Sequence, residues 1–244
     1  MSLTRPPSGA TQPSFPTEIP LFPSLPEILQ RLLVVLPVLL LSLTVHEFAH
    51  AWAARRLGDD TAMRMGRYTL NPLAHMDPIG TFFLPVFTNV PFGWAKPVPV
   101  NPNRFRRGVD LGKGMMFTAL AGPASNFLLG IASAIVLGIV ARVDPTLGAG
   151  GDGRGASGIA AAFLFSMIQM NVVLAIFNLL PIPPLDGSRI VDAFLPARFR
   201  PGWETFSRYS MFILLAFVFF GWRLIGGPVN TAINWIVRLA SLIA

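Results

Sequence analysis

The chain has 244 residues, of which 52% are hydrophobic and 13% charged, whereas about a quarter of the residues in a soluble domain are charged. Together with a mean hydropathy of +0.57, this composition argues against a soluble globular protein and for a polytopic membrane protein. The net charge is +7 and there is no cysteine, so disulfides and thiolate metal sites are excluded, and the basic residues, which lie between apolar runs, indicate membrane topology rather than nucleic-acid binding.

The N-terminal residues 1–26 contain seven prolines and no apolar core. This pattern predicts a disordered tail ahead of a single membrane domain over residues 27–244. A capping-box pattern then predicts a helix from about Leu25 to Leu57. We expect a kink at Pro37 and a helix stop at Gly58, because proline interrupts the backbone hydrogen bonds of a helix and glycine suits its C-terminal cap.

The pattern H-E-x-x-H lies inside this apolar helix. Between residues 32 and 54 the only ionisable side chains are His46, Glu47 and His50, and ionisable groups at membrane depth usually serve a site. Residues four apart share one helix face, so His46 and His50 can bind one metal ion. Glu47 is placed to hold and deprotonate a metal-activated water. Two histidines satisfied in a core would not explain a carboxylate between them.

The next apolar segment, residues 78–95, carries no charge but contains three prolines. It is too short and too broken for a straight spanning helix, so we predict a re-entrant or partly extended element enclosed by protein. The alternating prolines that follow predict extended chain over residues 94–101. Such a segment could pair with another extended chain as an added strand.

Four further apolar segments predict helices. Residues 114–141 and 155–185 are free of charge and each is long enough to span a bilayer, with the second helix ending near Leu180. Residues 209–222 could complete another span with their flanks. A Gly-Gly-Pro sequence at 226–228 is expected to break it before a last helix over 229–243. The predicted fold is an all-α polytopic membrane protein, a bundle of about four to six transmembrane helices with a short re-entrant or extended element near the active site.

The basic residues assign sides of the membrane. The loops at 55–77, 96–113 and 189–208 hold four, five and four basic residues, whereas the loop at 142–157 holds two. The positive-inside rule therefore places the first three loops in the cytoplasm and the fourth outside, together with the N-terminus. The metal site then lies in the cell membrane, toward its cytoplasmic face.

A catalytic zinc site needs a third protein ligand, and the chain offers two main candidates. His75 is nearer in sequence, but its loop is polar and rich in proline. Asp186 directly follows the charge-free run 155–185 and lies between Pro184 and Gly187. Asp186 could equally serve as the N-cap of a helix that begins at Gly187. The spacing alone leaves these alternatives open.

Five motifs in this order make the chain resemble the site-2 protease family of intramembrane zinc metalloproteases (peptidase family M50), specifically its compact branch without a PDZ domain. The resemblance extends from about residue 32 to residue 220. The motifs are His46-Glu47-Phe48-Ala49-His50, residues 70–80 (LNPLAHMDPIG), residues 92–101 (FGWAKPVPVN), residues 121–126 (AGPASN) and residues 178–187 (NLLPIPPLDG).

The resemblance implies a zinc-dependent site. His46, His50 and Asp186 would bind one catalytic Zn²⁺, and Glu47 would be the general base that activates water. Asn178 and Asn126 are implied as polar groups that face the reacting peptide, although interhelical hydrogen bonding is the ordinary use of asparagine in membranes. The implied activity is that of a metalloendopeptidase acting in or near transmembrane segments.

The resemblance also implies the partners. The substrate would be a transmembrane segment of another membrane protein, first cut by a different protease, and the surroundings a lipid bilayer, with no role for nucleic acid. The competing hypothesis is a non-proteolytic metal-binding membrane protein, either a transporter or an inactive relative. A transporter would show internal repeats, and an inactive relative would be expected to lack Glu47 or a ligand. Neither feature is seen in the sequence.

Overall fold

The computed structural model describes residues 23–88, 93–144 and 155–244. Every regular element within these residues is a helix, which confirms the predicted all-α class. Of the tail predicted over 1–26, residues 1–22 lie outside the described residues.

Helix α1 (Leu25–Leu57) carries the H-E-x-x-H motif in its second half. It begins as predicted, with the backbone N–H of Ser24 donating to the Glu27 carboxylate at 2.7 Å. The kink expected at Pro37 stays a prediction. A wide π-helical turn over Arg31–Val35 precedes this proline, which lies in the first turn of the α-helical part. Gly58 ends the helix with a φ of 112°, a left-handed conformation that suits glycine.

After a short helix α2 (Thr61–Arg64), the chain forms the predicted re-entrant element. Helix α3 (Pro78–Phe87) is apolar, and its ten residues would extend only about 15 Å, half of a hydrocarbon core. Residues 93–101 are neither helix nor strand. The Trp94 N–H donates to the Gly80 carbonyl at 3.2 Å, so the chain returns beside the first turn of α3.

Two long helices follow, α4 (Leu111–Val143) and α5 (Ala156–Asn178), and with α1 they are the three helices long and apolar enough to cross a membrane in the described part of the chain. Helix α6 (Asp186–Phe194) is short, and α7 (Arg200–Phe220) and α8 (Trp222–Ser241) complete the bundle. The last two helices are bent by 68° and count as a fourth span if taken together. The described helices therefore reach the lower end of the predicted number.

The break predicted at residues 226–228 is wrong. Helix α8 runs through this Gly-Gly-Pro sequence, and the bend lies at Gly221 instead. A proline inside a membrane helix is tolerated when neighbouring groups satisfy the freed backbone. A Cβ at position 221 would lie 2.6 Å from the Phe217 carbonyl oxygen. The turn between α7 and α8 therefore requires glycine at this position.

Helix α4 is the centre of the bundle. Its four buried glycines are eight residues apart, a spacing that rotates each about 80° past the previous one. They accordingly face different neighbours: Gly122 lies against α1, Gly130 against both α5 and α8, and Gly138 against α8. Small residues let membrane helices pack closely because their backbones can approach. Large apolar side chains remain exposed on the outer surfaces, such as Leu128 at 67%, as expected for a lipid-facing surface.

Candidate metal centre

The two histidines of the motif lie side by side on the inner face of α1. His46 and His50 are 5% and 9% exposed, and their Nε2 atoms are 3.1 Å apart. One helical turn separates the residues, so the local helix alone brings both rings together. Both lie on a helix that is long and apolar enough to span a membrane.

Asp186 joins them from the end of the third spanning segment. Its Oδ2 lies 3.2 Å from His46 Nε2 and 3.3 Å from His50 Nε2. Asp186 is the first residue of α6 and Leu185 occupies the N-cap position, so the capping alternative does not describe its contacts. A Cβ at position 187 would collide with the carbonyls of the last turn after α5, so glycine there allows α6 to start against that turn.

His75, the other candidate ligand, lies elsewhere. Its side chain is 1% exposed, and its Nε2 is 2.8 Å from the carbonyl oxygen of Thr69 in its own loop. Within the described residues, His46, His50 and Asp186 form the one group of such side chains whose ligand atoms all lie within 4.8 Å of one another. The geometry therefore brings Asp186, and not His75, to the histidine pair.

The three converging atoms fit a cation. The carbonyl of Thr118 can only accept, so the His50 Nδ1 at 2.8 Å carries a proton, and in the neutral imidazole that a metal ligand must be, Nε2 carries the lone pair. His46 Nδ1 donates in the same way to Asn126 Oδ1 at 2.6 Å. Asp186 Oδ2 is buried and receives no hydrogen bond. Three lone pairs at this separation repel unless a positive charge lies between them, and two imidazoles with one carboxylate are a ligand set suited to Zn²⁺.

A glycine on α4 makes room for the two rings. A Cβ built at Gly122 would lie 2.5 Å from both Cε1 and Nε2 of His50 and 2.6 Å from Cε1 of His46. Real side chains do not approach so closely, so any larger residue would displace the histidines. The helix–helix contact of α1 and α4 thus forms one wall of the site.

The Glu47 carboxylate contacts the non-helical segment. It is 8% exposed, and its Oε2 accepts the backbone N–H of Val98 at 2.8 Å. Buried polar groups hold that segment in place: Lys96 N–H donates to the His75 carbonyl, and Arg67 Nη2 donates to the Lys96 carbonyl at 2.5 Å. Residues 96–98 are therefore fixed beside the carboxylate of the motif.

The two asparagines occupy different places. Asn126 is fully buried and contacts His46 at Nδ1, the ring nitrogen that faces away from Asp186. Asn178 is the last residue of α5 and half-buried, and its Nδ2 donates to the Leu174 carbonyl of its own helix at 3.0 Å. Asn126 thus contacts the His46 ring on the side away from Asp186, whereas Asn178 lies eight residues before Asp186 at the end of α5.

Sequence reasoning missed several residues that the structure brings to this site. Asn171 and Ser42 are fully buried. Asn171 accepts a hydrogen bond from Asn126 and donates one to Ser42. One signal was present, since Asn171 is a polar residue within the charge-free run, where such groups are costly. The contact of Val98 with Glu47 involves a backbone N–H and leaves no trace in residue identity.

Comparisons with known proteins agree with one another. Residues 151–221 match the sequence profile described as "Peptidase family M50". The Bacillus subtilis (strain 168) protein named "Putative zinc metalloprotease YwhC" is 38% identical over 178 residues, which cover 72% of this chain and 76% of that protein. Proteins named "Putative zinc metalloprotease Rip2" from Mycolicibacterium smegmatis and Mycobacterium tuberculosis are 32% and 31% identical, over 64% of this chain and 55% of their own length. No solved structure matches the chain.

Proposed function

The chain belongs to peptidase family M50, and from that premise we propose that this membrane metalloendopeptidase works inside the bilayer, on peptide bonds in or near transmembrane segments of other membrane proteins. The observation that carries the proposal is the meeting of His46, His50 and Asp186, within 4.8 Å of one another, between helices long and apolar enough to span. Because His46 and His50 lie on a helix long and apolar enough to span, the proposed active site lies within the membrane and takes its substrate there.

We assign one Zn²⁺ to this cluster, with His46, His50 and Asp186 as its protein ligands. Three ligands leave a position open for water or substrate, as catalytic zinc sites require. The bound ion would supply Lewis acidity, which acidifies a water molecule and polarises the scissile carbonyl.

Glu47 is the proposed general base. Its carboxylate lies next to the first histidine and is held by the Val98 N–H at 2.8 Å. In that position it holds the attacking water by a hydrogen bond, takes its proton, and later gives the proton to the leaving nitrogen. The low exposure of Glu47, 8%, limits access of other water to the reacting groups.

The segment 93–101 is the proposed binding surface for the substrate. A transmembrane helix hides its carbonyls in its own hydrogen bonds, so the substrate must unwind before it is cut. The segment runs past Glu47. Pro97 and Pro99 carry no N–H, and the N–H groups of Lys96 and Val98 are bound to the His75 carbonyl and to Glu47, so the Val100 N–H is the proposed donor to a bound peptide within residues 96–100. An unwound substrate can pair with such a chain as an added strand.

The two asparagines take different proposed roles. Asn178 is half-buried at the end of α5, and one hydrogen of its amide remains for the carbonyl oxygen of a bound peptide, where charge develops during the attack. For Asn126, the contact with His46 Nδ1 supports a role in holding the histidine over direct contact with the peptide.

The proposed orientation places the metal site toward the cytoplasm. The C-terminal end of α1 and the loop before α4 meet, since Arg106 N–H donates to the Leu57 carbonyl at 2.8 Å. Both segments are rich in arginine, as is the region after Asp186. The clustering of these basic segments at the end of the bundle that carries the site supports a cytoplasmic location.

The test is cleavage of a purified single-span substrate, reconstituted in vesicles, by wild type and by the Glu47→Gln variant. Glu47→Gln, which removes the general base, is expected to slow cleavage by about 10²- to 10⁴-fold. Its zinc content should stay at the wild-type level. Glu204→Gln, which removes an exposed carboxylate from α7, should leave the rate unchanged. Wild-type cleavage by Glu47→Gln would overturn the mechanism, and zinc binding without any cleavage by wild type would favour a non-proteolytic protein.

A further inference from the structure

We infer that Asn171 and Ser42 are positioning residues that act through Asn126 to fix the tautomer in which His46 offers its Nε2 to the metal ion. The inference rests on the proposed metal site. All three residues are fully buried, and they come from three helices, α5, α1 and α4. None of them touches the substrate or the metal in this assignment.

The direction of the hydrogen bonds starts at two helix carbonyls. Ser42 Oγ–H donates to the Val38 carbonyl at 2.7 Å, so its oxygen is left to accept. Asn171 Nδ2 donates to the Met167 carbonyl at 2.8 Å and to Ser42 Oγ at 2.9 Å. A carbonyl cannot donate, so the Asn171 amide cannot rotate without placing two oxygens together. Its Oδ1 must therefore face Asn126.

The same logic continues to the histidine. Asn126 Nδ2 donates to Asn171 Oδ1 at 2.7 Å and to the Ser42 carbonyl at 3.2 Å. Both partners only accept, so Asn126 must turn its Oδ1 toward His46 Nδ1, 2.6 Å away. An accepting oxygen at that distance requires a proton on Nδ1, so the neutral imidazole that binds metal has its lone pair on Nε2, toward Asp186. Every amide hydrogen of the two asparagines is used.

The two metal-binding histidines are thus held in different ways. His50 donates to the backbone carbonyl of Thr118, which no side-chain substitution can remove. His46 depends on a chain of side chains, so its orientation can be changed by mutation far from the metal. Without Asn171, Asn126 loses its best acceptor and can present Nδ2 to His46, which favours the tautomer that cannot bind metal through Nε2.

The experiment measures the zinc dissociation constant of purified full-length protein in detergent by competition with a chelator. Asn171→Ala and Asn126→Ala are expected to raise this constant by about 10- to 100-fold, as loss of outer partners of metal ligands does. Asn178→Ala is the matched control, because Asn178 lies on the same helix and donates to the carbonyl four residues earlier, as Asn171 does. Its zinc affinity should stay within about twofold of wild type.

A second pair of variants tests the same network in case Asn171→Ala does not fold. Ser42→Ala removes one acceptor of the network, and Ser133→Ala removes a buried serine of α4 that bonds only to its own helix, at Leu129. Ser42→Ala should weaken zinc binding and Ser133→Ala should not. The absorption bands of Co²⁺-loaded protein should change in the network variants alone, since they report on the ligands of the ion. The thermal stability of the metal-free variants is measured alongside.

Equal zinc affinity of Asn171→Ala and Asn178→Ala would overturn the inference, as would a Ser42→Ala variant identical to Ser133→Ala in affinity and Co²⁺ spectrum. A lower stability of the metal-free form with unchanged zinc affinity would assign Asn171 to helix packing alone and equally overturn it. Failure of wild type to bind any divalent ion would instead refute the proposed metal site. The two failures are therefore distinguishable.

Discussion

Gly122 is the residue on which the position of both histidine rings depends. Any Cβ there would lie 2.5 Å from His50 and 2.6 Å from His46. We predict that Gly122→Ala loses most of its zinc and at least about tenfold of its activity, because the rings must leave the geometry shared with Asp186. Zinc per protein and the cleavage rate measure this directly.

Gly130→Ala is the control for that prediction. It adds the same methyl group to the same helix, but the nearest atoms, on Asn171 and Ile236, are 3.8 Å away, an ordinary contact. Zinc content should stay at the wild-type level. If Gly122→Ala also kept full zinc and activity, the close packing of α4 against the histidines would not be required.

At the residue scale, the histidine pair was predictable and its surroundings were not. The spacing of His46 and His50 needs only the helix that contains them, which the apolar pattern indicated. Which face of α4 Asn126 occupies depends on how two helices rotate against each other, and no local pattern specifies that. The resemblance implied contact with the peptide, whereas the structure puts Asn126 at His46 Nδ1.

Among the elements, the segment 93–101 is fixed at its end by a buried carboxylate. Asp59 is 1% exposed, and it accepts the N–H of Thr61 at 2.9 Å and the N–H of Asn101 at 2.7 Å. Asp59→Ala should lower the free energy of unfolding by about 1–3 kcal/mol for each N–H left buried without a partner. It should also lower kcat/KM at unchanged zinc content, because the proposed binding surface loses its anchor.

Asp60→Ala serves for comparison. The neighbouring carboxylate pairs on the surface with Arg64 at 2.7 Å, which holds the pKa of Asp60 below its usual value. Exposed pairs contribute little to stability, so thermal unfolding and cleavage should both match wild type. Equal effects of the two substitutions would show that the anchor of the segment plays no part.

Element boundaries followed the sequence where backbone chemistry decides them locally. The stop at Gly58 was predicted correctly because glycine suits a left-handed C-terminal cap. The break expected at 226–228 was wrong because neighbouring helices, rather than the proline itself, determine whether a membrane helix continues. Gly221 bends the chain instead, and nothing in its immediate sequence distinguishes it from other glycines.

For the whole molecule, the proposed orientation can be tested without removing native thiols, because the chain has no cysteine. Arg107→Cys and Gly155→Cys place single thiols at exposed positions in two different loops. A membrane-impermeant thiol reagent added to intact cells should label Gly155→Cys and leave Arg107→Cys unlabelled, as the positive-inside rule predicts.

Inverted vesicles supply the reciprocal measurement, in which Arg107→Cys should be labelled. Labelling of both thiols after lysis establishes that each is accessible. The opposite pattern in cells would place the metal site toward the outer face and refute the proposed orientation.

The sequence by itself determined the membrane class, the main spanning helices and the histidine pair with its carboxylate. Each of these depends on composition or on residues within a few positions of one another, where helix geometry and the cost of charge in lipid act locally. Only the tertiary structure decided that Asp186 rather than His75 meets the pair, that Val98 covers Glu47, and that Asn171 lies behind Asn126. These contacts join distant segments, and they arise from how the helices rotate and approach, which short-range patterns leave open.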